Sequence, residues 1–406
     1  MAARRIVPLL VIGFFCVADA DSAGADAESP AWLELQREAS GQTVYFNAWG
    51  GDLAINRYIE WAAERVRERH GVHLVHVKVT DIAESVSRIM AERVAGRDAD
   101  GSVDLLWING ENFAALKEAG LLWGPWTGRL PNAALIDWRG NPTLLIDVTL
   151  PTEGFELPWG TSTFTLFYDR STAPTRSQSA PRNPAALLAW IEAYPGRFTY
   201  PQPPAFLGTA FLKQMLLLLT DDAHRLQRPA GEDFDEVSAP LWVWLDRAHA
   251  RMWRRGRLFP RSGPAQRELL AVGELHWMMS YNPAEASRAI RQGELHETIG
   301  ALHLEGGALA NSHFLAIPYN AGSKAGAMLI ADFLISPEAQ ARKSDEDVWG
   351  DPSVLNVEDL AAADRMLFES LARGAATPSP PARLLPEPHP SWAILLEREW
   401  LERYVR

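Results

Sequence analysis

Thr43-Val44-Tyr45-Phe46-Asn47-Ala48-Trp49-Gly50-Gly51-Asp52 is the stretch on which the fold turns. A short β-type run enters a polar, glycine-rich turn, and a helical pattern begins directly after it. Ile55, Ile59, Ala62 and Val66 recur on one face, and Gly71 is placed as the stop. A strand follows at 72–79. Asp81 and Glu84 then resemble a capping box opening a helix striped by Ile82, Val86, Met90 and Val94. A buried-type strand at 103–108 delivers Asn109-Gly110-Glu111-Asn112 at its C-terminal end. Strand, helix, strand, helix, strand predicts a parallel sheet with helices on both faces, an α/β fold. Ligands of such sheets bind outside the carboxyl ends of the strands. The order of elements therefore nominates Trp49, Gly50, Gly51 and Asp52 after the first strand, and Asn109 and Glu111 after the third, as walls of one crevice.

Upstream, Arg4 and Arg5 precede an apolar run at 6–17, followed by Ala18-Asp19-Ala20 and Ala25-Asp26-Ala27. This reads as a secretory signal peptide over 1–27, cleaved between residues 20 and 27. The run is short of the ~20 apolar residues that a membrane span needs. Cys16 is the only cysteine, and it lies in the segment to be removed. The bulky Phe15 before it argues against a lipid anchor. The mature chain is thus expected to be a free periplasmic protein, held by its apolar cores without disulfides. The net charge of −12 speaks against general nucleic-acid binding, which wants a basic face.

Downstream, Leu157-Pro158-Trp159-Gly160-Thr161 opens a second region, with a strand at 164–168 and a Pro- and Ser-rich loop at 171–184. Apolar helices are expected at 206–220 and 241–253. A strand from Leu275 ends in Ser280-Tyr281-Asn282-Pro283, and the residues from Trp392 to Tyr404 carry a helical stripe. No Gly-x-Ser-x-Gly, phosphate-loop or His-Glu-x-x-His motif is present, so no catalytic, cofactor or metal residues are assigned.

Several segments carry a family likeness: Phe46-Asn47-Ala48-Trp49-Gly50-Gly51, Leu157-Pro158-Trp159-Gly160, Ile317-Pro318-Tyr319-Asn320-Ala321-Gly322-Ser323-Lys324-Ala325-Gly326, and Phe333-Leu334-Ile335-Ser336-Pro337-Glu338-Ala339-Gln340. With the signal peptide, they resemble extracellular solute-binding proteins of ABC transporters, and among these the YnjB-like branch. The resemblance implies a two-lobe periplasmic-binding-protein-like fold of type II with a ligand cleft between hinged lobes. It implies crossings near Gly160, Tyr281 and His313. Lobe 1 would comprise 41–160 plus 282–312, and lobe 2 would comprise 161–281 plus 313–406. It also implies a permease as partner, a small solute as ligand and a monomeric receptor.

Each candidate residue carries two readings. Trp49 stacks on a ligand or plugs a core, and the glycines beside it allow close backbone approach or only turn the chain. Asp52 pairs with a cation or caps the next helix. Asn109 and Glu111 bond a solute or cap a helix. Trp159 and Thr161 face the cleft at the hinge or pack behind it. Tyr281 and Asn282, with Glu285 beyond them, end the return strand, and Asn311 precedes the last crossing. Trp49, Trp159, Tyr281, Glu111 and Glu285 lean the cargo toward a cationic or aromatic compound, thiamine-like or a polyamine. A sugar fits nearly as well, and an exported hydrolase of a sugar or small ester is the alternative from another class.

Overall fold

Asp52 shows how the first lobe is built. Its side chain accepts from the Ala54 N–H at 2.7 Å and starts a helix that stops at Gly71, which adopts φ 68° as a left-handed terminus. The computed structural model describes residues 29–172, 180–371, 374, 376, 377 and 383–405. The expected signal peptide and Cys16 lie outside the described residues. In chain order the first elements are α1 (Pro30–Ala39), β1 (Thr43–Trp49), α2 (Leu53–His70), β2 (His73–Val79), α3 (Ala83–Val94), β3 (Leu105–Ile108) and α4 (Glu111–Glu118). A hairpin of β4 (Ile146–Asp147) and β5 (Leu150–Pro151) precedes the long β6 (Glu156–Thr163) and β7 (Thr165–Asp169). Then come α5 (Pro184–Ala193), α6 (Phe206–Leu219), α7 (Phe234–His249), α8 (Gly263–Ala271), β8 (Trp277–Ser280), α9 (Glu285–Arg291), β9 (Ile299–Leu302) and β10 (Ala308–Ala316). The chain ends with α10 (Lys324–Leu334), α11 (Pro337–Ser344), α12 (Ala362–Glu369), β11 (Leu384–Leu385) and α13 (Pro390–Tyr404). Among the described residues no helix is long and apolar enough to cross a membrane.

β1 pairs in parallel with β2 and β3, as the alternating pattern predicts. The large sheet continues through β10, which runs antiparallel to β3 and to β6. Helices cover both faces, giving one core around Phe46, Tyr58, Trp159 and Phe333 and another around Ile89, Ile108 and Phe113. A small antiparallel sheet, β8-β7-β9, carries the second lobe. Its main core gathers α5, α6, α7 and α13 around Phe198, Phe211, Trp277, Trp392 and Trp400.

Strand pairing divides the chain differently from the sequence reading in two places. Residues 282–312 include β9, which pairs with β7 in the small sheet rather than joining lobe 1. Residues after β10 include α10 and α11, whose buried faces belong to the large core, so they leave lobe 2. The cause is that β6 leaves lobe 1 and the return is made by β10, which carries His313, rather than at Tyr281, so that the last crossing follows α12 and precedes β11. Strand pairs decide lobe membership here, and single-chain patterns do not show which strands pair.

β6 and β10 form the ribbon between the lobes, and a bulge interrupts their register between His313 and Phe314. Pro158 lies opposite Phe314 while Gly160 lies opposite His313, so Trp159 is the extra residue. Beside the ribbon, Lys343 is 0% exposed and donates to Asp351 Oδ2 at 2.5 Å and to the Pro352 carbonyl at 2.9 Å. Asp351 Oδ1 pairs with His313 Nε2 at 3.0 Å. Burial pushes the Asp351 carboxyl up, but Lys343 and His313 outweigh it and hold the group below the ordinary carboxylate range. Asp351→Ala strands a buried ammonium and should cost about 3–5 kcal/mol in urea unfolding. Adding Lys343→Met should restore much of that loss; an unchanged unfolding midpoint in the single variant would remove the pair from the hinge.

Candidate functional site

The two lobes meet on two sides, at α2 and at α4. α2 and α4 rise from the ends of β1 and β3, while α6 and α9 approach from lobe 2. On the α2 side the gap is bridged: Asp52 accepts from Arg288 Nη1 at 3.0 Å and from Nη2 at 2.8 Å. Burial pushes the Asp52 carboxyl up, and the bond and charge of Arg288 outweigh it, leaving it below its ordinary value. Arg291 on the same helix pairs with Glu346 at 3.2 Å, and also with Asp347, on the lobe 1 side. Asp52 is therefore both a helix cap and a cation partner, but its cation is the protein's own.

On the α4 side a cavity of about 300 Å³ remains between the lobes. Ala310, Asn311, Ser312 and Phe314 of β10 form one wall, the β4–β5 hairpin a second, and Gln227 and Glu387 of lobe 2 a third. Asn109 Nδ2 donates to Asn311 Oδ1 at 3.0 Å, joining two of the sequence candidates at the cavity edge. The hairpin turns through Val148, a β-branched residue at φ 55°, which is strained backbone at the cavity lip. That turn presents Asp147 to the start of α4, where the Gly110 N–H donates to Oδ2 at 2.6 Å.

The surroundings of this cavity are acidic. Burial, first of all, drives the Asp147 carboxyl well above its ordinary range. The Gly110 N–H draws it down, and the charges of Glu111 and Glu387 raise it further. Glu156 on β6 is 1% exposed and neither carboxyl oxygen has a partner among the described residues. Burial and the charge of Asp147 push it well up too. Across the cavity, Glu387 accepts from Lys213 Nζ at 2.5 Å and from Tyr281 Oη at 2.9 Å. Glu397 accepts from Thr209 at 2.6 Å; burial and then the Glu111 charge raise it against the pull of that bond and of Lys213.

The remaining sequence candidates distribute as follows. Trp49 is 38% exposed, with its ring folded over Gly51, where an added Cβ would lie 2.3 Å from Cζ2. Gly50 makes room for Lys78 in the same way. These glycines accommodate the protein's own side chains, a different role from close approach to a ligand. Trp159 is wholly buried in the large core against Trp107, Trp349 and Phe46, and does not face the cleft. Thr161 stands opposite Ser312, a register that the bulge creates. Tyr281 is buried and reaches the cavity only through Glu387. Asn282 accepts from the Ala284 N–H in the turn ahead of α9 and donates to the Trp349 carbonyl at 2.8 Å, a structural use of both ends. Glu285 is salt-bridged to Arg267 at 3.3 Å.

Sequence reasoning missed Asp147, Glu156, Lys213, Gln227, Phe314 and Glu387, whereas Ser312, read beside Asn311 ahead of the last crossing, does line the cavity. Asp147 sits in a turn whose next residue is valine, which no turn rule flags. Glu387 lies in a proline-rich stretch that reads as a connection.

A family model described as bacterial extracellular solute-binding protein matches residues 61–362. The chain is 45% identical over 377 residues to Protein YnjB of Escherichia coli (strain K12), covering 92% of this chain and 94% of that one. Among solved structures, the periplasmic binding protein AfuA of Actinobacillus pleuropneumoniae is similar with a TM-score of 0.61 at 13% identity, covering 90% of this chain and 99% of its own. The spermidine/putrescine transporter's substrate-binding protein PotD of Streptococcus pneumoniae is similar at a TM-score of 0.59 and 12% identity, over 88% of this chain and 99% of that one. These two similarities show the shared two-lobe fold. By family model and by identity, the chain belongs to the bacterial extracellular solute-binding proteins and is a periplasmic substrate-binding component of an ABC transporter.

Proposed function

We propose that this receptor captures a small cationic solute in the cavity between Asp147 and Glu387 and delivers it to its permease. The observation that carries the reading is the pair of acids in the lining, Asp147 and Glu387, with Glu111 and Glu397 close by. Asp147, Glu111, Glu387 and Glu397 act on one another across the gap, and the ammonium among them, Lys213, is already engaged by Glu387. A water-poor site with surplus carboxyl groups favours a cation, since a positive ligand supplies the charge that burial leaves wanting. Phe314 gives the cavity an apolar floor, and Asn311 and Ser312 offer hydrogen bonds that orient the ligand. A volume of about 300 Å³ suits a thiamine-like compound or a short polyamine. The likeness to PotD adds only the fold to this reading.

Closure is part of the same proposal. Arg288 and Arg291 extend from α9 to Asp52, Glu346 and Asp347 of the other lobe, so ion pairs hold the lobes together on the side away from the cavity.

Thermal-shift assays of the mature protein against thiamine, putrescine, spermidine and neutral sugars should show a saturable rise with a cation. A cation present at ~100 times its Kd adds about 2.7 kcal/mol of stability. Asp147→Asn should weaken that binding by at least about 2 kcal/mol, roughly 30-fold in Kd by titration calorimetry. A sugar that shifts the protein while all the cations fail would replace this reading with a carbohydrate one. Arg288→Ala should leave the fold intact and move the solution ensemble toward an open form, seen as a larger radius of gyration without ligand. An unchanged scattering curve would exclude Arg288 from closure.

A further inference from the structure

We propose that the receptor takes its cargo in exchange for a proton: Asp147 is protonated in the empty cleft and ionises when a cation binds against it. This rests on the cationic reading above and adds to it how the site's charge is kept balanced.

The argument starts from hydrogen-bond accounting. Asp147 is 3% exposed, and the bond recorded to its carboxyl among the described residues is the single Gly110 N–H at 2.6 Å. One neutral donor is too little to hold a buried carboxylate, whose desolvation must otherwise be met by a cation. The groups around it deepen the deficit. From α4 comes Glu111, and from the segment before α13 comes Glu387, and each acts to raise Asp147 further. From β6 comes Glu156, 1% exposed, with neither oxygen partnered among the described residues and its carboxyl pushed well up by burial and then by the charge of Asp147. β10 contributes Asn311 and Ser312, which carry no charge. The opposing cation is Lys213 on α6, which Glu387 holds. Lys117, on α4, acts on Glu156 and is itself taken up by Glu153 at 3.0 Å and by the Pro151 carbonyl. No ammonium or guanidinium among the described residues is hydrogen-bonded to Asp147.

A bound cation supplies the missing partner. The O–H bond of Asp147 breaks, its proton leaves to solvent, and the carboxylate pairs with the ligand. For a monocation the total charge of the site is the same before and after, so closing the lobes over it buries no additional net charge. Glu156 remains protonated throughout, because its buried oxygens have no partner among the described residues and an ionised Asp147 disfavours a second charge near it. Below the folded pKa of Asp147, affinity for a monocation should then rise about tenfold per pH unit and level off above it.

Two measurements decide the matter. Infrared spectra of the ligand-free protein at pH 6 should show a protonated-carboxyl C=O band that Asp147→Asn and Glu156→Gln each diminish. A band unchanged by Asp147→Asn would mean the group is already ionised, and would overturn the exchange. Titration calorimetry at pH 6, with thiamine and with putrescine in buffers of different ionisation enthalpy, should show release approaching one proton for each bound thiamine. Glu156→Gln should keep that release, and Asp147→Asn should abolish it. Binding of either cation without proton release overturns the exchange and leaves the cationic reading standing. Failure of both cations while a neutral sugar binds removes the cationic reading, and the exchange fails with it.

Folding is checked by thermal unfolding across pH. Both acids have folded pKa values above their unfolded ones. Their contribution is fully present below the unfolded pKa and is lost as pH rises through the folded value. Glu156→Gln should accordingly gain stability relative to the parent as pH rises, while a constant difference from pH 5 to pH 9 would show that Glu156 is ionised.

Discussion

The antiparallel pairing of β6 with β10 is the constraint on which the cleft depends. Seven register pairs join the two strands, from Ala310↔Thr163 down to Ala316↔Glu156. The ribbon's lower end is part of the large sheet through β3, and its upper end meets β11 and the second lobe. A bulge at Trp159 switches the facing of β6 partway along, so that Leu157 and Trp159 enter the core while Thr161 stands with Ser312 above it. Without that extra residue, the cavity-facing and core-facing sets would be exchanged at one end. Gly160 is required beside it, since an added Cβ would lie 2.3 Å from Asp351 Oδ2. The Lys343–Asp351–His313 set therefore sits directly against a ribbon with no spare room, which ties α11 to the hinge.

Charge is treated in opposite ways on the two faces of this ribbon. Behind it, Lys343 and Asp351 are buried as a matched pair with further carbonyl acceptors, so both can ionise. At the mouth of the cleft, Arg288 meets Asp52 through two parallel bonds, the geometry in which guanidinium and carboxylate bind most strongly. Around the cavity, by contrast, Asp147 and Glu156 lack a cation of their own. Other buried acids are met by a cation, as Asp351 and Glu387 are, or by two or more N–H donors, as Asp104 and Asp332 are, whereas Asp147 has one donor and Glu156 none among the described residues.

Much of the fold was legible because its signals are local. The alternation of β1, α2, β2, α3 and β3 follows from short apolar runs, periodic stripes and Gly71, all readable within a few residues. The C-terminal stripe of Trp392, Leu396 and Trp400 likewise docks on lobe 2 as its spacing required. Lobe membership of 282–312 and of α10 and α11 was not legible. It depends on β9 choosing β7 and on α10 packing beneath β1, choices made across hundreds of residues. The site divides along the same line. Asn109 was read at a strand end and Asn311 ahead of the last crossing, and the two do meet, whereas Trp159 was misplaced because a conspicuous aromatic near a hinge serves a core equally well.

Asp147 and Glu387 show why the rest of the site was hidden. Asp147 becomes a cavity residue only because Val148 accepts a left-handed backbone, a conformation that valine avoids and that sequence rules assign to glycine or asparagine. Glu387 is brought opposite by the last crossing, whose path is fixed by β11 pairing with two residues at the start of β10. Neither acid has meaning alone: one belongs to a strained hairpin of lobe 1, the other to a proline-flanked segment of lobe 2. Their opposition is a property of the closed pair of lobes. A ligand bound between them, as proposed above, would therefore meet both lobes at once.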